Sequence, residues 1–422
     1  MLRNKTNKIK LILFLIPTLL IPIFCNGQIT SISGNIIDNN QIIINGIDFG
    51  SGPTVEIFDD FEKGINGDNI STGTGSAKYG EWNVIGEGIE KYSDSYSVSG
   101  DLSFMADYST TWRNFISKNL QNSREIFFSW WQFVPTDSNW PGENTTDGMN
   151  WKIMWVLGPD TTHNDIYSPV ILETSALFGS NDQSPGYHKY IDRNHFKKGE
   201  WLRQSVYFKG STTSTSNDGK VYYWYTNETG HNNELADNTA NNLKESGGWS
   251  ILHVNGYGRQ TPNCRTYMDD VYIASGDNAR ARVEIGNSSN YNDCTNLVIL
   301  TPTSWSDTSI TATINQGSFQ PGEQAYLYVI DSNGNISNGY PITIGQSSTI
   351  RADVNQDNQI TSTDAMLTLR KSLNMDMSQT NWQDSPTTGD VNCDNTVNST
   401  DAMLILRKSL GLDMTGTGWC IN

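Results

Sequence analysis

Two segments of the chain place oxygen-bearing side chains at the spacing a hard divalent cation requires. Asp353, Asn355, Asp357, Gln359, Thr361 and Asp364 stand at positions 1, 3, 5, 7, 9 and 12 of one loop. Asp390, Asn392, Asp394, Thr396, Asn398 and Asp401 occupy the same positions of a second loop, 37 residues further on. Calcium takes six to eight oxygen ligands at roughly 2.4 Å. Side chains at positions 1, 3, 5, 9 and 12, with the main-chain carbonyl of position 7, would supply one such set per loop, two Ca²⁺ in all. Position 6 is Asn358 and Asn395, and asparagine is the non-glycine residue that best tolerates left-handed backbone. Each loop runs into Ala-Met-Leu-x-Leu-Arg-Lys-Ser-Leu, whose apolar spacing predicts one helix after each loop. Ile360 and Val397, at position 8, are expected to pair the two loops.

A second group of chemically able residues lies in strand-like segments. Alternation puts Arg203 and Tyr207 of WLRQSVYFK on one face, and Tyr222 and Trp224 of KVYYWYT on another. With Lys152 of WKIMWVLG and Gln132 of EIFFSWWQFVP, they suit a sugar polymer. Aromatic rings stack on pyranose faces, while amides and cations bind hydroxyls or uronate carboxylates. Gln132, Tyr207 and Trp224 are the carbohydrate-binding candidates. Hydrolysis would need two carboxyl groups about 5–5.5 Å or about 6.5–9.5 Å apart. Glu173 is the one acid in the middle of an apolar strand, and it has no acidic partner two residues away. β-Elimination would need a base or acid beside the α-proton and a cation or amide for the enolate. Lys152, Arg203, His195 and Tyr222 could fill those roles, with Tyr207. Each also has a plainer reading as a salt-bridge or core-edge group. Asp269 and Asp270 in YMDDVYIA, with Asp60 and Glu62 of the first strand, are expected to hold a structural calcium rather than to catalyse.

Elements that must position these residues follow from composition and punctuation. The chain has 422 residues and a net charge of −17, with charged residues at 17% and aromatics at 11%. An acidic chain without a basic block is a poor ligand for nucleic acid, and this aromatic content argues against wholesale disorder. Arg3, Lys5, Lys8 and Lys10 precede an apolar run from Leu11 to Phe24. That predicts a secretory signal over 1–27, rather than an uncleaved membrane anchor, and a secreted product with no further membrane span. Short strands and Gly/Asn turns fill 28–57. Six well-marked strands between 58 and 280 predict a two-sheet sandwich, and 281–348 reads as a smaller β spacer. The calcium loops lie in 349–422. Four cysteines remain after the signal, and an exported chain would pair them. Proximity favours Cys264–Cys294 and Cys393–Cys420 among the three connectivities.

Three resemblances add to this reading. The duplicated loops with their helices resemble a type I dockerin, which implies calcium binding and docking to a cohesin on a scaffold. In that family Ser-Thr at positions 10–11 and a basic pair on the helix help recognise the cohesin. Ser362-Thr363, Ser399-Thr400, Arg370-Lys371 and Arg407-Lys408 occupy those places. The lysine-bearing strand NWKIMW and the run KGEWLRQSVYF…DGKVYYWY before YMDDVYI resemble the concanavalin A-like jelly roll of lectins, glucanases and polysaccharide lyases. Ile44–Gly50 resembles part of an IPT/TIG immunoglobulin-like module, and 281–348 an Ig-like spacer. Together they imply a mainly β, secreted carbohydrate-active enzyme, hydrolase or lyase, on an extracellular polysaccharide. A lectin-like binding protein and a structural or adhesive surface protein are the alternatives.

Overall fold

The computed structural model describes residues 27–111, 113–139, 152–157, 163–164, 170–172, 175–180, 187–191, 196–213, 216–240, 248–257, 262–345, 347–348, 351–355, 359–378, 380–382 and 388–420. The segment expected to be a signal lies outside them, apart from Gly27. Among the described residues the chain is mainly β, and its two α-helices sit in the C-terminal region.

Period-two alternation builds the largest body. Strand Glu125–Phe133 sends Ile126, Phe128 and Trp130 into one core, and Leu202–Lys209 adds Val206 and Phe208 to it. These strands belong to a large sheet, in the order Gly230–Ala240, Gly219–Asn227, Leu202–Lys209, Glu125–Phe133, Arg265–Ser275, Thr54–Asp59 and Tyr79–Gly80. A smaller sheet runs His163–Asn164, Lys152–Leu157, Trp249–Tyr257, Ile116–Ser123 and Val84–Ile85. It supplies Met154, Val156, Leu252, Val254, Ile116 and Leu120 to the same core. The two sheets thus make a sandwich.

The second β body is assembled from both sides of the sandwich in sequence. Gln41–Asn45 pair antiparallel with Ser309–Thr313, and Gln28–Asn35 bridge Gln41–Ile47 to Ser347–Ser348. The strands of 28–47, which the sequence reading kept apart from 281–348, therefore share one sheet and one core with them. Ile42, Ile44 and Phe49 pack with Val283, Leu300, Ile310 and Leu327. Two strands alone are marginal in water and need such a partner. Strand Leu297–Trp305 pairs first with Val283–Gly286 and then, from Thr301 on, with Ser309–Thr313. The register shift between Pro302 and Ser304 marks the bend, where proline and a bulge are tolerated. The sandwich is inserted between Gln41–Ile47 and Arg282–Gly286. Its first strand is Thr54–Asp59, so the expected boundary at 57/58 falls inside a strand.

Helices α1 (Ser362–Ser372) and α2 (Ser399–Ser409) follow the two acidic loops. Thr361 and Asn398 are their N-caps, and Asp364 and Asp401 complete capping boxes by accepting from the cap backbone. Ala365, Leu404 and Ile405 close a small core with Ala352 and Val391.

Ile44 is fully buried, and its strand partner Ile310 and most of its core lie more than 200 residues away in sequence. Ile44→Ala should destabilise the second β body by about 2–5 kcal/mol. Urea unfolding followed by tryptophan fluorescence checks it, because Trp305 packs against the same core.

Candidate functional site

The expected sugar-binding face exists but is closed. Tyr207 pairs with Tyr222, Ser205 with Trp224 and Arg203 with Thr226, so these side chains share the outer face of the large sheet. The second β body lies on that face. Ile299 joins Phe127, Tyr207, Tyr222 and Trp224 in one cluster. Arg280 stacks over Tyr222 at 4.7 Å and Trp224 at 5.3 Å, and Arg282 over Phe127 at 4.5 Å. Arg203 is 2% exposed, and its Nη2 lies 2.8 Å from Glu284 Oε1, which Arg282 Nε also reaches at 2.8 Å. Burial alone would raise the Glu284 carboxyl, but the two guanidiniums hold it well below the usual carboxylate range. Arg203, Tyr207, Tyr222 and Trp224 are thus interface residues, not the walls of an open polymer cleft.

Gln132 is closed off from any ligand in a different way. It points between the sheets, where it accepts from Gln204 Nε2 at 2.6 Å and donates to Thr266 Oγ1 at 3.3 Å. Buried amides need such partners. Lys152 lies on the small sheet, its main chain paired with Tyr257, so it does not share a sheet with Arg203 or Tyr222. Glu173, His195 and Asp357 lie outside the described residues.

Most oxygens of the acids expected to hold a structural calcium are hydrogen-bonded or ion-paired from within. Lys78 Nζ lies 2.8 Å from Asp60 and 3.1 Å from Asp38. Glu62 Oε1 accepts from the backbone N–H of Asp101 and Leu102, and Asp269 from those of Val98, Ser99 and Asp270. Ser99 donates to Asp270 Oδ1, leaving Asp270 Oδ2 buried without a hydrogen-bond partner. Glu62 and Asp269 do not belong to a convergent set of three such ligands. Among the described residues, that arrangement occurs only in the C-terminal module.

The outer face of the small sheet carries a pair that the sequence reading missed. His253 stands opposite both Ser117 and Trp155 in the sheet, and Ser117 Oγ hydrogen-bonds His253 Nδ1. The Phe115 ring lies 4.2 Å from the imidazole and the Trp155 ring 5.5 Å. Burial first, then the charge of Arg113, depresses the His253 pKa to about 4. The imidazole is therefore neutral at physiological pH, with a polar partner on one nitrogen and aromatic walls. The signal was present in SILHVNGY, where His253 alternates with Leu252 and Val254.

The second C-terminal loop has the geometry its spacing implies, while Asp357 and Asn358 of the first lie outside the described residues. In the second loop, ligand atoms of Asp390, Asp394 and Asp401 lie within 4.8 Å of one another. Asn395 adopts φ 67°, the left-handed turn asked of position 6. Asp390 accepts from the N–H of Asp394 and Asn395, and Asp401 Oδ1 from those of Val391 and Asn392. The first loop repeats the last pattern, with Asp364 Oδ1 accepting from Val354 and Asn355. The donor set is oxygen throughout, which fits calcium. Residues 351–410 match the dockerin type I domain. The C-terminal module is a dockerin.

Dockerin domains bind calcium. In this dockerin a disulfide joins Cys393 to Cys420, and Cys420 N–H donates to Val391 O, tying the chain end to the second loop. The expected Cys264–Cys294 bond is absent. Both thiols are free and buried, Cys264 in the sandwich core and Cys294 in a separate cluster with Tyr291, Leu297 and Tyr328. Burial pushes the Cys264 thiol up to about 12. No helix among the described residues is long and apolar enough to cross a membrane.

Solved structures similar to the chain include an alginate lyase in complex with an alginate trisaccharide, at 10% identity and TM-score 0.36, covering 54% of this chain and 100% of that one. The marine PL-14 alginate lyase from Aplysia kurodai matches at 11% identity and TM-score 0.30, over 44% of this chain and 87% of that one. The catalytic domain of a glycoside hydrolase family 131 protein from Coprinopsis cinerea matches at 14% and 0.28, over 52% and 95%. No curated protein matches the chain.

Two outcomes follow from these sites. Chelation should lower the melting temperature of the dockerin in the full chain, read by calorimetry, and Asp394→Ala should weaken that response while sparing the α2 cap. A dockerin melt indifferent to chelator would refute the calcium site. His253 has a folded pKa below its ordinary value of 6.5, so its contribution to stability is full above that pH. It is lost as pH falls toward 4, with a slope up to about 1.4 kcal/mol per pH unit. His253→Gln should flatten the stability profile in that window.

Proposed function

We propose that this chain is a secreted carbohydrate-active enzyme, carried to a cohesin-bearing scaffold by its dockerin and acting on an extracellular, uronate-containing polysaccharide. The observation that carries the reading is the dockerin joined to a sandwich whose small sheet holds the largely buried His253 between Ser117 and Trp155 on its outer side. A neutral imidazole with Arg113 nearby suits abstraction of a proton α to a uronate carboxylate, the cation offsetting charge on the developing enolate. Trp155 and Phe115 would receive the sugar ring. Hydrolysis is less well supported, because Glu173 has no acidic partner at alternate spacing on its strand. A lectin-like binding role is the second reading, favoured by the same aromatic walls.

The dockerin supports two further parts of the proposal. Two Ca²⁺ would bind, one per loop. Met366, Leu369 and Leu373 on α1 and Met403, Leu406 and Leu410 on α2 and its end are exposed, and form two equivalent apolar stripes suited to a cohesin. Thr363 and Thr400 lie exposed at the head of these stripes.

A polysaccharide panel tests the enzyme reading, with reducing ends and the ultraviolet absorbance of unsaturated uronates as readouts. Unsaturated product is expected, and His253→Ala should reduce its formation by about 100-fold or more. Because His253 stays neutral down to about pH 4, the acid limb of the rate profile should fall there and not near 6.5. Retention on a polysaccharide gel without product would leave the binding role. Neither signal would favour a structural or adhesive protein.

A further inference from the structure

The junction between the large sheet and the second β body holds more buried positive charge than the chain neutralises. Arg203 and Arg282 are buried there, and Arg280 is half-buried beside them. Glu284 accepts from Arg203 and Arg282, while Tyr291 O–H bridges Glu284 and Arg282. Asp331 acts on Arg280 from a turn, but its oxygens already accept from Asn333 and Asn335. His231 adds no charge. Its Nδ1 bonds Thr226 Oγ1, and burial, with Arg203 and Arg282 nearby, lowers its pKa to about 3. Arg280 donates Nη1 to Asn333 O at 2.6 Å, yet its Nε is buried without a hydrogen-bond partner, as is Arg203 Nη1. Stacking on Tyr222 and Trp224 offsets part of the cost of taking Arg280 out of water. An uncompensated buried cation remains expensive.

A cavity of about 280 Å³ opens at this junction, lined by Trp224, His231, Asn233, Arg280, Arg282 and Tyr291. It lies just under the ~300–1,000 Å³ typical of small-molecule pockets, too small for a polymer segment and adequate for one sugar ring. We propose that this cavity binds a single uronate residue, its carboxylate on Arg280, its ring against Trp224 and its hydroxyls on Asn233. An arginine fork recognises a planar carboxylate in two bonds, and an aromatic wall distinguishes a sugar acid from a bare anion. The site lies on the opposite side of the sandwich from His253 and does not depend on that residue being catalytic.

Calorimetric titration of the calcium-loaded full chain tests it, with glucuronate and galacturonate as probes. Glucose, acetate and sulfate at matched ionic strength are the controls. Saturable binding of a uronate, with no binding of glucose and at least tenfold weaker binding of acetate and sulfate, is expected. Arg280→Gln should weaken uronate binding at least tenfold. Ile336 also lines the cavity, and Ile336→Trp, which fills it and leaves every guanidinium in place, should abolish binding with the melting temperature unchanged. His253→Ala should bind as the parent does. Acetate or sulfate binding as tightly as uronate would overturn the proposal, as would absence of saturable uronate binding. Uronate binding unaffected by Ile336→Trp, or lost in His253→Ala, would place the site elsewhere and overturn it equally.

Discussion

Glu284 is the point on which the arrangement of the two β bodies turns. It belongs to a strand of the second body, is fully buried, and carries its charge because Arg203 of the sandwich and Arg282 of its own strand surround it. Removing one partner from such a group strands a charge in a low-dielectric interior, which costs far more than a surface pair contributes. The geometry also explains why the outer face of the large sheet is aromatic. Phe127, Tyr207, Tyr222 and Trp224 supply ring faces to Arg280 and Arg282, so the surface is built to receive guanidiniums from a neighbouring module.

What could be read from the sequence depended on how local the physics was. The dockerin was legible almost residue by residue, because calcium ligation fixes donor type and spacing within a dozen positions and the helices follow at once. Asn395 in the left-handed region is that rule at its most local. Strand alternation was equally local, and it placed Arg203 and Tyr207 correctly on one face. What covers that face was not local. Ile299 and Glu284 come from a module more than 80 residues downstream of Arg203. A clue did exist in EIFFSWWQF, which shows no polar alternation, and every residue of that strand is buried. A run of that kind reads as a strand covered on both sides.

Cysteines and acids went astray for a related reason. Cys264 and Cys294 are 30 residues apart, yet the chain crosses from one core to another between them. Sequence proximity means little across a module boundary. Near Asp269 and Asp270, counting carboxylates suggested a metal, but Lys78 and a row of backbone N–H groups answer most of their demand. Conversely, His253 drew no notice because a lone histidine has no motif. Its interest comes from Ser117 and Trp155, which reach it only through sheet pairing.

The insertion of the sandwich into the second β body has a mechanical consequence. Strand Gln28–Asn35 and the short strand Ser347–Ser348, which leads to the dockerin, are paired neighbours, Gly34 with Ser348 and Asn35 with Ser347. Tension applied between residue 28 and a tethered dockerin therefore runs through the second β body alone. The sandwich hangs off that line as a side loop, entered at Thr54 and left before Arg282. A pull along that line leaves the sandwich unloaded.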